Sequence, residues 1–187
     1  MRLIGHPFDV MVSSLEELAV KGESPEQHVM RLAEQKAVDI GGTLQQGVVI
    51  GSDTIVVLDD DILEKPESPD DAISMLMRLQ SRTHTVFTGF ALYDTESEKC
   101  HIDFDTTQVT MRPFSHATAE KYVATKEPLD KAGSYGIQGF GAVLIDSIKG
   151  CYFNVMGLPV PKLMEALHEF TGGEFDYFAN NSMTLSE

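Results

Sequence analysis

The stretch Gly47-Val48-Val49-Ile50-Gly51-Ser52-Asp53-Thr54-Ile55-Val56-Val57-Leu58 constrains this chain most. Apolar residues, most of them β-branched, flank a short polar centre. Such residues crowd the preceding turn of a helix but pack well on a pleated surface, so the run predicts a buried strand from Gly47 to Leu58. Asp59-Asp60-Asp61 reads as a turn that returns the chain through Ile62-Leu63-Glu64-Lys65-Pro66. If the two segments run antiparallel, Lys65 comes back close to the level of Asp53.

Asp53 is out of place in that strand. A desolvated carboxylate needs a cation, a set of hydrogen bonds or a metal. The residue types leave two accounts open: a strand-end or bulge aspartate accepting backbone N–H groups, or a carboxylate that holds a metal or activates water. Ser52 and Thr54 add hydroxyls that could orient a water or a phosphate. Lys65, taken alone, is a surface lysine; beside Asp53 it becomes a cation able to neutralise phosphate charge.

The rest of the chain alternates helices and strands irregularly, which predicts a mixed α/β fold around a central sheet. Ser24-Pro25-Glu26-Gln27 combines a cap, a proline at the first helical position and a capping-box partner. Val29, Leu32, Ala33 and Ala37 follow at helical spacing, and Gly41-Gly42 ends the helix. Ser68-Pro69-Asp70-Asp71 opens a second helix through Leu79. Strands are expected at 7–12, 85–93, 102–111 and 142–148, helices at 116–125 and 160–170, and a loop through Asn154.

Between Lys131 and Gly139 lie three glycines, Tyr135 and Gln138. The glycines permit close backbone approach, and the Gln138 amide can both donate and accept at a base edge. The spacing matches neither a Walker A loop nor a dinucleotide fingerprint.

Composition narrows the partners. A net charge of −15 argues against a nucleic-acid or anionic-membrane surface, since both attract clustered Lys and Arg. A small anionic ligand is compatible with it when a divalent cation bridges ligand and protein. No apolar run is long enough to span a bilayer and no signal-peptide core opens the chain. Cys100 and Cys151 are expected to be reduced, in keeping with a cytoplasmic location.

The motifs occur in an order that identifies a family. Gly51-Ser52-Asp53-Thr54-Ile55-Val56, Glu64-Lys65-Pro66, Val86-Phe87-Thr88-Gly89, Asp130-Lys131-Ala132-Gly133-Ser134-Tyr135-Gly136-Ile137-Gln138-Gly139 and Asn154-Val155-Met156-Gly157-Leu158-Pro159 closely resemble the Maf family of nucleoside triphosphate pyrophosphatases. The resemblance runs to about Phe170. It implies a two-lobed α/β fold with an elongated central sheet and a cleft, related to the inosine triphosphatase group. One catalytic domain would cover residues 1–172, with a polar tail at 173–187.

It also implies hydrolysis between the α and β phosphates with a divalent cation, Mg²⁺ or Mn²⁺. By the same resemblance Asp53 is the catalytic acid, acting as base or metal ligand, and Lys65 the phosphate-binding lysine. Glu17 and Lys36 are further active-site positions, with Glu17 a second metal ligand; their spacing alone selects neither. Thr54 and Gln138 match positions tied to substrate choice and resemble the branch that prefers dTTP and UTP. The expected partner is a nucleoside triphosphate, with assembly as a homodimer left open.

One departure stands out. Family members open with a strand and a Ser-x-Ser-Pro-Arg-Arg loop that grips phosphate, whereas this chain starts at Met1-Arg2-Leu3-Ile4. The expectation is either a start internal to a longer gene product or a shortened form with impaired turnover. A nucleotide-binding or regulatory protein that has lost catalysis is the alternative, and a poorly folding fragment the blandest one.

Overall fold

The computed structural model describes residues 7–18 and 20–176. The opening residues 1–6 and most of the polar tail, 177–187, lie outside the described residues.

The first helix, α1 (Pro25–Gly41), begins as its residues dictate. The Ser24 hydroxyl accepts the Gln27 N–H, the Gln27 side chain accepts the Ser24 N–H, and Pro25 occupies the first turn. The long strand β1 (Val48–Leu58) turns at Asp59-Asp60, both with positive φ, into the short β2 (Asp61–Leu63). Helix α2 (Pro69–Leu79), capped by Ser68, leads to the antiparallel pair β3 (Thr83–Asp94) and β4 (Cys100–Met111). Then follow α3 (His116–Ala124), a series of 3₁₀ turns, β5 (Ile145–Lys149), the short α4 (Tyr152–Val155) and α5 (Val160–Phe170).

The five strands among the described residues form one antiparallel sheet in the order β2-β1-β3-β4-β5. Successive residues of a strand point to opposite faces. Val49, Gly51, Asp53 and Ile55 therefore face one way, toward α1, whose Ala33 and Ala37 pack with Ala91. Ile50, Ser52, Thr54, Val56 and Leu58 face the other way. There, two apolar clusters form. One gathers Val56, Leu58, Val86 and Val109 under α2 and α3; the other gathers Phe90, Leu92 and partly buried Ile50 under α5. Between them runs a polar seam made of Ser52, Thr54, Thr88, Thr107 and Asn154.

Three expectations need correction. The loop expected through Asn154 holds the short helix Tyr152–Val155, in which Asn154 is buried. Residues 7–12 form no strand. Phe8, Val10, Met11 and Val12 are all exposed, and an alternating segment without a sheet partner does not hold strand geometry alone. The strand expected at 142–148 is displaced to Ile145–Lys149, because Gly139–Leu144 curls into a 3₁₀ helix. Gly139 takes φ +65°, a region glycine enters freely, and the Glu127 carboxylate accepts the N–H groups of Phe140 and Gly141. The cysteines are free, as expected.

His84 on β3 is buried and shares a 2.7 Å hydrogen bond with the Tyr135 hydroxyl, while its Nδ1 has no partner among the described residues. Burial pushes its pKa down from 6.5 to about 4. The unfolded chain then binds this proton near pH 6.5 and the folded chain only near pH 4. Between those values the unfolded state holds more protons, so the stability present above pH 6.5 is lost as pH falls toward 4. Urea titrations should show a loss of about 2 kcal/mol between pH 7 and pH 5, above the main carboxylate range. A flat stability over that interval would contradict a neutral buried His84.

Candidate active site

A cleft of about 540 Å³ opens along β1 and is lined by Ser52, Asp53, Thr54, Ile55 and Val56 in unbroken succession. A pocket on one face of a sheet would touch every second residue. Contact with every residue means that the cleft straddles the edge of the strand. Among the described residues β2 pairs only with Val56 to Leu58 of β1, so the strand edge from Val48 to Ile55 is open on that side.

Asp53 sits on the α1 face of that edge and is 8% exposed. Lys36 reaches it from α1, with Nζ 2.7 Å from Asp53 Oδ1 and 2.6 Å from Glu17 Oε1. One ammonium thus bridges two carboxylates. Burial alone would depress the Lys36 pKa, yet its hydrogen bonds to Asp53 and Glu17 raise it above the ordinary lysine value. Burial likewise opposes ionisation of Glu17, and the Lys36 hydrogen bond and charge, with Lys65 and His28 nearby, overcome it and lower the Glu17 pKa.

Of the two accounts left open for Asp53, the strand-end or bulge aspartate does not hold. Asp53 lies mid-strand, paired in regular register with Gly89, and accepts no backbone N–H among the described residues. Its Oδ2, like Glu17 Oε2, takes no hydrogen bond among the described residues.

The two carboxylates form a small, hard oxygen donor set, and no group of three or more metal-ligating side chains occurs among the described residues. This set fits Mg²⁺ or Mn²⁺ rather than a fully protein-caged ion, since Mg²⁺ is typically held by one or two carboxylates with phosphate and water completing the shell. Asp53 and Glu17 are the residues that would hold it.

The remaining expected residues line the same cleft. Lys65, two residues past β2, is exposed and forms no ion pair among the described residues. The Glu64 carbonyl just before it accepts the Gly133 N–H at 3.1 Å, tying the two walls together. Gln138 faces the cleft from the opposite wall, where Lys131 and Asp130 form an ion pair at 2.6 Å.

The hydroxyl protons flanking Asp53 are donated within the protein, which leaves Ser52 and Thr54 acceptor lone pairs toward the cleft they line. Ser52 Oγ lies 3.0 Å from the Gly89 carbonyl and 2.8 Å from that of Gly157. Thr54 Oγ1 is 2.9 Å from Thr88 Oγ1, which donates to the Asn154 carbonyl. Asn154, fully buried, donates in turn to the Val86 carbonyl and Thr107 Oγ1. This chain of bonds holds Met156 and Gly157 against the cleft.

Sequence reasoning missed His28 and Asn154. His28, Leu32 and Lys36 all line the cleft, and their spacing of four places them on one face of α1. That spacing was a usable signal. Asn154 had none, because nothing local distinguishes a buried asparagine from a loop one.

The chain is similar to known proteins over most of its length. The Maf-like protein family matches residues 1–170. A dTTP/UTP pyrophosphatase from Desulforamulus reducens is 43% identical over 170 residues, covering 91% of this chain and 89% of that protein. The dTTP/UTP pyrophosphatase of Clostridioides difficile is 42% identical, covering 87% and 84%. That of Bacillus cytotoxicus is 43% identical, covering 92% and 90%.

Proposed function

We propose that this chain, which belongs to the Maf family, hydrolyses dTTP and UTP to the nucleoside monophosphate and pyrophosphate. The observation that carries the proposal is the Glu17–Lys36–Asp53 bridge at the open edge of β1, facing Lys65 and Gln138 across one cleft. The relatives' substrates supply the nucleotide class.

In this reading the triphosphate lies between Lys36 and Lys65, whose charges offset the negative charge that grows on the phosphoryl oxygens. Asp53 Oδ2 accepts a proton from water. The water oxygen bonds to the α phosphorus, and the bond from that phosphorus to the α–β bridging oxygen breaks, leaving pyrophosphate with the electron pair. A divalent cation held by Asp53 and Glu17 would supply further charge neutralisation and a more acidic water. Gln138 answers the donor and acceptor on a uracil or thymine edge.

The protein setting is proposed to be cytoplasmic. Two free cysteines accord with a reducing compartment, and no helix among the described residues is long and apolar enough to cross a membrane.

Hydrolysis of UTP in ¹⁸O-water with Mg²⁺ or Mn²⁺ tests the reading. Pyrophosphate and UMP should appear in equal amounts, with the label in UMP. Release of orthophosphate, label in pyrophosphate, or no turnover of either UTP or dTTP would refute it.

A further inference from the structure

Gln138 is exposed, and its side chain takes no hydrogen bond among the described residues. What holds it in place lies in the loop on either side. Glu127 Oε2 accepts the Phe140 N–H at 2.9 Å, and Oε1 accepts the Gly141 N–H at 2.9 Å. Oε1 also accepts the Tyr122 hydroxyl at 3.0 Å, and that hydroxyl accepts the Gly136 N–H at 3.0 Å.

One carboxylate and one phenol therefore pin the loop at 136 and again at 140 and 141. Only Ile137, Gln138 and Gly139 remain between the pins. The loop is closed tightly on itself: a Cβ on Gly141 would fall on the Gly136 carbonyl and the Tyr122 ring, and one on Gly139 would lie 2.9 Å from Glu127 Cδ. Burial works against ionisation of Glu127, and its backbone donors outweigh that and keep its pKa low, so the clamp is anionic at neutral pH.

We propose that Glu127 and Tyr122 are positioning residues for base recognition, fixing the 136–141 loop so that the Gln138 amide meets a pyrimidine edge at one distance and height. The inference rests on the reading of the cleft as a nucleotide site. Neither residue lines the cleft, so both act through Gln138. A glutamine amide offers one donor and one acceptor to the base, and both hydrogen bonds weaken steeply with misplacement. A slackened loop should cost affinity for the base and leave the phosphate grip of Lys36 and Lys65 intact.

The experiment compares UMP with inorganic pyrophosphate as calorimetric ligands of the wild-type protein, Tyr122→Phe and Glu127→Gln, all with the same divalent cation. Tyr122→Phe removes the bond to Gly136 and should weaken UMP about fivefold. Glu127→Gln turns an amide NH₂ toward backbone N–H groups and should weaken UMP about tenfold or more. Pyrophosphate affinity should stay within about twofold in both, a range smaller than one lost hydrogen bond. The double variant should lose less than the product of the two single losses, because the residues share the bond from the Tyr122 hydroxyl to Glu127. In turnover the UTP KM should rise while kcat holds.

Unchanged UMP affinity in both folded variants, or a parallel loss of UMP and pyrophosphate, would overturn the proposal. If Glu127→Gln does not fold, Tyr122→Phe decides, since it leaves both backbone bonds to Glu127 in place. Wild-type protein that binds UMP without hydrolysing UTP sinks the hydrolase reading alone. Wild-type protein that binds no UMP sinks both.

Discussion

Asp53→Asn should lower pyrophosphate release from UTP by about 10²- to 10⁴-fold, the range general-base catalysis contributes. The substitution keeps the shape of the side chain and an acceptor oxygen for Lys36 Nζ, now 2.7 Å from Oδ1. It removes the negative charge and the basic Oδ2. Lys36 keeps its ion pair with Glu17 and stays protonated, so the α1 to β1 contact survives and the thermal transition stays cooperative. The lysine pKa should fall toward its ordinary value, since one of the two carboxylates that raise it has gone. Turnover within about tenfold of the unsubstituted protein, below the usual contribution of such a base, would remove Asp53 from the role.

Gly89→Ala should destabilise the fold by about 3 kcal/mol, the upper part of the range for overpacking a tight core. The midpoint of thermal unfolding should drop by roughly 10 °C for a chain of this size. Gly89 pairs with Asp53 in the sheet and lies under α1. A methyl there would fall on the Val29 carbonyl and 2.8 Å from the Met30 nitrogen. Both are backbone atoms of the helix, so no side chain can swing away to make room. Gly51 is built the same way, under Ala33 and Ala37. The two glycines let α1 settle directly on β1 and β3, and that closeness brings Lys36 onto Asp53. Scanning calorimetry reads the first effect. A fall in turnover in the surviving folded fraction reads the second. A midpoint unmoved by the methyl would mean that helix and sheet are farther apart than the contact requires.

Local signals in the chain foretold most of the elements. The Ser24-Pro25-Glu26-Gln27 cap, the Gly47–Leu58 run and the Ser68 cap each carry their own physics within a few residues, and each element begins where its signal lies. The register that returns Lys65 to the cleft followed from the Asp59–Asp61 turn. What escaped depends on residues far apart in sequence. Lys36 and Asp53 meet across 17 positions, and Asn154 and Val86 across 68. No periodicity encodes such meetings, so Glu17 and Lys36 entered by resemblance rather than by pattern. The displaced last strand has a related cause. Ala142–Leu144 has strand-like composition, but Glu127 captures two N–H groups from a distance and bends the chain first. Ser52 and Thr54 were legible as hydroxyls, but not the partners on β3 and at Gly157 that take their protons.

The two carboxylates that bracket Lys36 are anchored very differently. Asp53 lies within a strand paired on β3 along nearly its whole length, and it should open only when the molecule unfolds. Glu17 belongs to a segment without helix or strand, held by Ser13 to Asp39, Arg31 to the Leu18 carbonyl, and Lys36 itself. Such a segment opens locally at small free-energy cost. A ligand that engages both carboxylates must therefore draw in the looser one, and part of its binding energy goes into that local ordering. Its arrival would register as slowed amide exchange across residues 13–18, with the exchange of β1 left as it was.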